Sequence, residues 1–127
     1  MPDSEHFSHN ELECHCGCGS NAMDLNFLEM LEDLRAMVDR PLQLSSAYRC
    51  PEHNDTVSST GRTGPHTTGQ AVDILAYGEL AYDIVTVARL VGFTGIGVKQ
   101  RGNFGGRFIH LDNLAVPDFN RPRIWSY

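Results

Sequence analysis

The sequence predicts a single α+β domain, and three observations carry that expectation. The chain has 127 residues, the size of one domain. Two stretches, 24–39 and 79–90, repeat apolar residues at helical spacing, and several short runs between and after them alternate or cluster apolar side chains as strands do. No internal repeat, low-complexity tract or linker separates one half from the other, so residues 1–127 are expected to form one unit, opening with a Cys-, His- and Gly-rich segment at 1–20.

The elements follow in order. Asp24 is a suitable N-cap for a helix to about Asp39, with Leu25, Leu28, Leu31, Leu34, Met37 and Val38 as its core stripe. Pro41 stops that helix, and 42–48 reads as a strand leading into Arg49. Cys50-Pro51 opens a short helix through about Val57, since proline suits a first helical position. Residues 58–65, rich in Ser, Thr and Gly, are expected to be irregular surface chain. A strand at 70–75 and an amphipathic helix at 79–90 come next, the latter ended by Gly92. Two further strands, 93–98 and 107–112, are joined by the Gly-rich 100–106, and the tail at 120–127 suits a last edge strand.

The formal charge of −6 comes from scattered acidic residues, with no basic stripe, so no nucleic-acid partner is expected. Residues 1–10 lack the charged-then-apolar layout of a secretory signal, and no apolar run approaches the ~18 residues of a membrane span. The chain is therefore expected to be made as a soluble cytoplasmic monomer, with later release by another route left open. The four cysteines are unevenly placed, Cys14, Cys16 and Cys18 alternating and Cys50 standing apart. They fit three readings equally: a structural metal cluster, one disulfide from Cys50, or free thiols. The set contains no acid, so it is not assigned the catalysis.

Three stretches carry chemistry: Ser46-Ala-Tyr-Arg49, His66-Thr-Thr-Gly-Gln-Ala-Val-Asp73 and Phe108-Ile-His110-Leu-Asp112. Each alone is weak, since a lone histidine is more often structural than a ligand. Together they say more. Asp73 lies among Ala71, Val72, Ile74 and Leu75, so its strand carries a carboxylate inwards, where it needs a partner. A metal ion would be such a partner if His66 and a neighbouring strand bearing His110 converged on it. Two nitrogens and one oxygen leave the fourth tetrahedral position to water, which is the layout of a catalytic zinc site. Alternation places Phe108, His110 and Asp112 on one strand face, so Asp112 is expected either as general base or ligand-orienting group, or simply as a cap on the turn at Asn113.

These marks resemble the zinc D-alanyl-D-alanine carboxypeptidase family, in the branch common among phage lysins and murein endopeptidases. The resemblance runs from about Cys14 to Tyr127, through Ser46-x-Tyr48-Arg49, Cys50-Pro-Glu-His-Asn54, His66-x-x-Gly69-x-Ala71-x-Asp73, Phe108-Ile-His110-Leu-Asp112 and Arg123-x-Trp125. It implies a small antiparallel sheet with helices packed on it, as in hedgehog signalling domains and D-Ala-D-Ala peptidases. It also implies zinc on His66, Asp73 and His110, with Arg49 steadying the substrate carbonyl or its oxyanion; read alone, Arg49 is better explained by a surface salt bridge. Two positions depart from the family. Gly64 stands where relatives often carry Ser, and Arg107 where several carry the acid that serves as general base, although arginine cannot accept a proton. Asp112 is the expected substitute, with Glu79, Asp118 and the remaining histidines as alternatives.

The expected activity is metal-assisted hydrolysis of peptide bonds in peptidoglycan stems or crosslinks, a substrate class that rests on the resemblance alone. A zinc dipeptidase or amidohydrolase on a small soluble substrate is one rival. A binding module that keeps the zinc but has lost catalysis is another, favoured by Arg107.

Overall fold

The computed structural model describes residues 3–127. Helix α1 (His9–Leu12) is closed by a capping box: Ser8 accepts from the Glu11 amide, and the Glu11 carboxylate accepts in return from the Ser8 amide. Sequence reading passed over this helix, although Ser8-x-x-Glu11 is its signature. Helix α2 (Leu25–Val38) starts where Asp24 accepts from the Phe27 amide at 2.9 Å and ends at Asp39 in the left-handed conformation, just before Pro41. Its buried face is Phe27, Leu28, Leu31 and Leu34. Leu25 and Met37, expected in the core, stand exposed in the first and last turns, and Phe27 takes the space by an edge-to-face contact with Phe93.

Strand β1 (Gln43–Ser46), helix α3 (Pro51–Val57), strand β2 (Ala71–Leu75), helix α4 (Gly78–Val91) and strands β3 (Gly95–Lys99), β4 (Phe108–Asp112) and β5 (Arg123–Ser126) complete the order. The stretches expected to be irregular contain short 3-10 turns at Gly61–Thr63, Pro65–Thr68 and Phe104–Gly106. The architecture is α+β, as expected. The five strands run in the order β1-β2-β4-β3-β5. The first four pair antiparallel, but β5 lies parallel to β3, so the tail forms the expected edge strand on a sheet that is mixed rather than wholly antiparallel.

Alternation along the central strands divides the two faces. Val72 and Ile74 of β2 and Ile109 and Leu111 of β4 join the core with Leu31, Leu34, Ala81, Ile84 and Ala88 of the helices. Phe7 and Leu12 enter the same core, which ties the N-terminal segment to the sheet. Asp73, His110 and Asp112 project from the opposite face. Among the described residues, no helix is long and apolar enough to cross a membrane.

Candidate metal centre

The face away from the helices carries one transverse row. Asp73 lies directly opposite His110 across the β2–β4 pair, His110 opposite Gly97, and Gly97 opposite Trp125. On the other side Ser46 is opposite Asp73. It reaches that place because the pairing shifts between Leu44 and Ser46, leaving Ser45 as an extra residue that re-aims the next side chain. His66 comes from the 3-10 turn rather than from the sheet. That turn is stitched to the chain leaving β1, with the Arg49 amide donating to the His66 carbonyl at 3.1 Å. Its end is fixed by Gly69 in the left-handed conformation, where a side chain would strike the Ala22 carbonyl.

His66, Asp73 and His110 therefore meet although they are far apart in sequence. Asp73 Oδ1 lies 3.2 Å from His66 Nε2 and 3.0 Å from His110 Nδ1, and all three residues are buried. The outer ring nitrogens decide the chemistry. His66 Nδ1 donates to the Ala47 carbonyl at 2.7 Å, and His110 Nε2 donates to Asp112 Oδ2 at 2.8 Å. Neutral rings held this way turn two nitrogen lone pairs towards a carboxylate oxygen, three acceptors facing one point. A cation at its centre would satisfy such a convergence, as would a proton on either ring. The donor set of two imidazoles and one carboxylate fits a divalent ion such as zinc, with one face left open. Burial opposes the charge on Asp73; when the rings are protonated instead, their charge and N–H groups hold its carboxyl well below the usual carboxylate range.

Asp112 is brought to His110, but on the ring nitrogen turned away from Asp73. Arg121 grips it with Nε on Oδ1 at 2.9 Å and Nη2 on Oδ2 at 2.8 Å, and the Leu114 amide donates to Oδ1 at 3.3 Å. The side chain is fully buried, and Gly95 leaves room for it, since a Cβ there would collide with the carboxylate. Burial pushes its pKa up, but Arg121 and His110 outweigh that and hold it at about 2. It thus lies on the side of the His110 ring turned away from Asp73.

Arg49 reaches the site itself. Its Nη2 is 3.6 Å from Asp73 Oδ2, while Nε donates to Ser46 at 3.0 Å and Nη1 to Asn54 Oδ1 at 3.1 Å. Asn54 is fully buried and donates in turn to Thr60 Oγ1 and the Gly61 carbonyl. Thr60 and Asn54 fill the space beside Gly64, so the serine common among relatives has no room in this chain. Trp125 stands over Gly97 and meets the His110 ring at 5.2 Å between centroids.

The centre opens into a cleft of about 1090 Å³ whose walls include Arg49, Thr60, Asp118, Arg121, Trp125 and Tyr127. Glu79 is elsewhere, beside Arg40. Arg107 is not on the cleft wall either: its guanidinium donates to the Gly102 carbonyl and stacks on Phe104. Asn54 and Arg121 were missed from sequence. Asn54 sits in a quoted motif and had a signal; Arg121 had none.

Fold and site fit a class of hydrolases, with a possible metal-binding His–Asp–His group at the sheet face. The peptidase M15 family matches residues 5–112, and the chain belongs to that zinc D-Ala-D-Ala carboxypeptidase-like family. No curated protein matches the chain.

Proposed function

We propose that the chain is a zinc-dependent peptidase that cuts peptide bonds in the stems or crosslinks of peptidoglycan. The observation that carries the metal-dependent hydrolysis is the set of three acceptors on His66, Asp73 and His110, at the base of a cleft that Arg49 also enters. When bound, zinc supplies Lewis acidity to a carbonyl and acidifies water at neutral pH. The side chains do the rest. His66 and His110 keep their lone pairs inward because Ala47 and Asp112 hold the outer N–H groups. Arg49, fixed by Ser46 and Asn54, offsets the negative charge that grows on the carbonyl oxygen.

Asp112 and Arg121 are positioning residues that act through His110. The proton from water goes instead to Asp118, the carboxylate on the cleft wall that holds no ligand place. Membership of the family supports reading the substrate as peptidoglycan.

Digestion of purified peptidoglycan with and without chelator, read by mass spectrometry, tests the proposal. Chelator-sensitive release of stem peptides is expected, and Asp118→Asn should slow it by roughly 10²–10⁴ with zinc retained. Stem and crosslink peptides left unchanged by zinc-loaded protein, with no amino acid released, would overturn the peptidoglycan reading and leave a peptidase of small soluble substrates or a binding module.

A further inference from the structure

A second cluster lies outside the cleft, at the junction of the N-terminal segment with α3. Cys14 follows α1 and is buried, Cys50 is the N-cap of α3, and Cys16 and Cys18 close over them. The sulphur atoms are 3.5 Å apart for Cys14–Cys16, 3.7 Å for Cys14–Cys50 and 3.7 Å for Cys16–Cys50. The Cys18 sulphur joins them, with all four within 4.8 Å of one another.

These distances suit a metal cluster and exclude a disulfide in this arrangement. A tetrahedron of thiolates about 2.3 Å from a zinc ion has edges of about 3.8 Å, close to all three measured separations. A disulfide would bring one pair to about 2.0 Å and turn the other two sulphurs away. The loop is shaped to deliver all four: Gly17 and Gly19 both take positive φ, in open space, so that alternate residues wrap round one point. Backbone donors already face the sulphurs. The Cys50 amide reaches Cys14 at 3.3 Å, His53 reaches Cys50 at 3.4 Å, and Ser20 reaches Cys18 at 3.5 Å. Such N–H groups are suited to thiolate acceptors.

We propose that Cys14, Cys16, Cys18 and Cys50 hold a second divalent metal ion, zinc by ligand chemistry, in a closed structural site. Four sulphur ligands complete the tetrahedron and leave no position for water or substrate, so the ion's role is architectural. It ties the 14–18 loop to the start of α3. Cys50 directly follows Arg49, and Asn54 of the same helix anchors the Arg49 guanidinium, so the ion steadies the ground on which that arginine stands. The site is independent of the peptidase reading, since it shares no ligand with the cleft.

Cobalt substitution of the reduced, full-length chain separates the two centres. Tetrahedral cobalt thiolate gives strong sulphur-to-metal charge-transfer absorption in the near ultraviolet, which a His–Asp–His site cannot produce. The band is expected in wild type and in His66→Ala, and is lost in the Cys16→Ser/Cys18→Ser double variant, whose altered side chains are exposed and leave the core untouched. Zinc analysis should then give about two ions per chain for wild type and about one for either variant. A wild-type chain without the charge-transfer band under reducing conditions would overturn the site, whatever its activity. So would a mass lower by one disulfide, or four thiols that react with a thiol reagent as fast in the zinc-loaded native chain as after denaturation.

Discussion

Replacing Asp112 by Asn separates a positioning role from a proton-accepting one, and the two readings give opposite results. The carboxylate takes hydrogen bonds of 2.8 Å from His110 and of 2.9 and 2.8 Å from Arg121, in a fully buried place. Asparagine keeps the shape but loses the charge, and its NH₂ group must face a donor of either Arg121 or His110. Breaking a buried pair costs roughly 3–5 kcal/mol because the remaining charge is stranded. Asparagine still accepts from one side, so we take the low end, about 3 kcal/mol, which for a chain of this size is a fall in Tm of roughly 10 °C. The orientation of His110 loosens at the same time. Loss of such an outer-shell partner typically weakens metal binding about 10–100-fold, or about 1.4–2.7 kcal/mol. Zinc affinity is measured by chelator competition, Tm by calorimetry, and peptide release at saturating zinc. The expected result is weaker zinc and lower Tm, with turnover largely recovered once the metal is saturating. Unchanged affinity and Tm together with turnover reduced by roughly 10²–10⁴ would refute this reasoning and make Asp112 the general base.

Other expectations follow from the same contacts. Arg49→Ala should lower turnover by about 10²–10³ while zinc content stays at the wild-type value, and Arg49→Lys should not restore it, because one ammonium cannot serve Ser46, Asn54 and the carbonyl oxygen together. Gly97→Ala puts a methyl group 2.7 Å from Trp125 Nε1, so the indole should leave His110, at a cost of about 1–3 kcal/mol, with a changed tryptophan fluorescence spectrum as the readout. Glu32 accepts from Ser4 and from the His6 amide and ring; burial pushes its carboxyl up, but these donors prevail and hold it below its ordinary value. Its contribution is therefore complete above the unfolded-state pKa and is lost as pH falls through the lower folded value. Protection of the His6 amide relative to its intrinsic exchange rate should fall across that acidic window in wild type and be low at all pH values in Glu32→Gln.

The convergence of His66, Asp73 and His110 was legible because each lies in a short pattern whose local structure fixes its direction. Asp73 and His110 sit on strands of period two, amid apolar neighbours that name the buried faces, and Gly69 marks the turn that presents His66. What the pattern could not supply was the choice between the two nitrogens of His110. Period two places Asp112 on the right face, but which ring atom it meets depends on the imidazole rotamer and on Arg121, nine residues further on. Arg121 was invisible for a related reason: its place depends on β5 running parallel to β3, and nothing between 113 and 122 encodes that direction. The expected core position of Leu25 failed differently, since helical spacing specifies a stripe but not where the stripe runs past the end of its partner.

The transverse row has a consequence for how this chain comes to be active. Ser46, Asp73, His110, Gly97 and Trp125 each come from a different strand, and although His66 and Asp73 are close in sequence, the candidate centre is incomplete until His110, 37 residues after Asp73, has been made. The thiol cluster, by contrast, is complete once Cys50 has been made. Synthesis thus finishes the amino-terminal knot well before the sheet can gather its hydrolytic face, and a truncated or stalled chain carries the former without the latter.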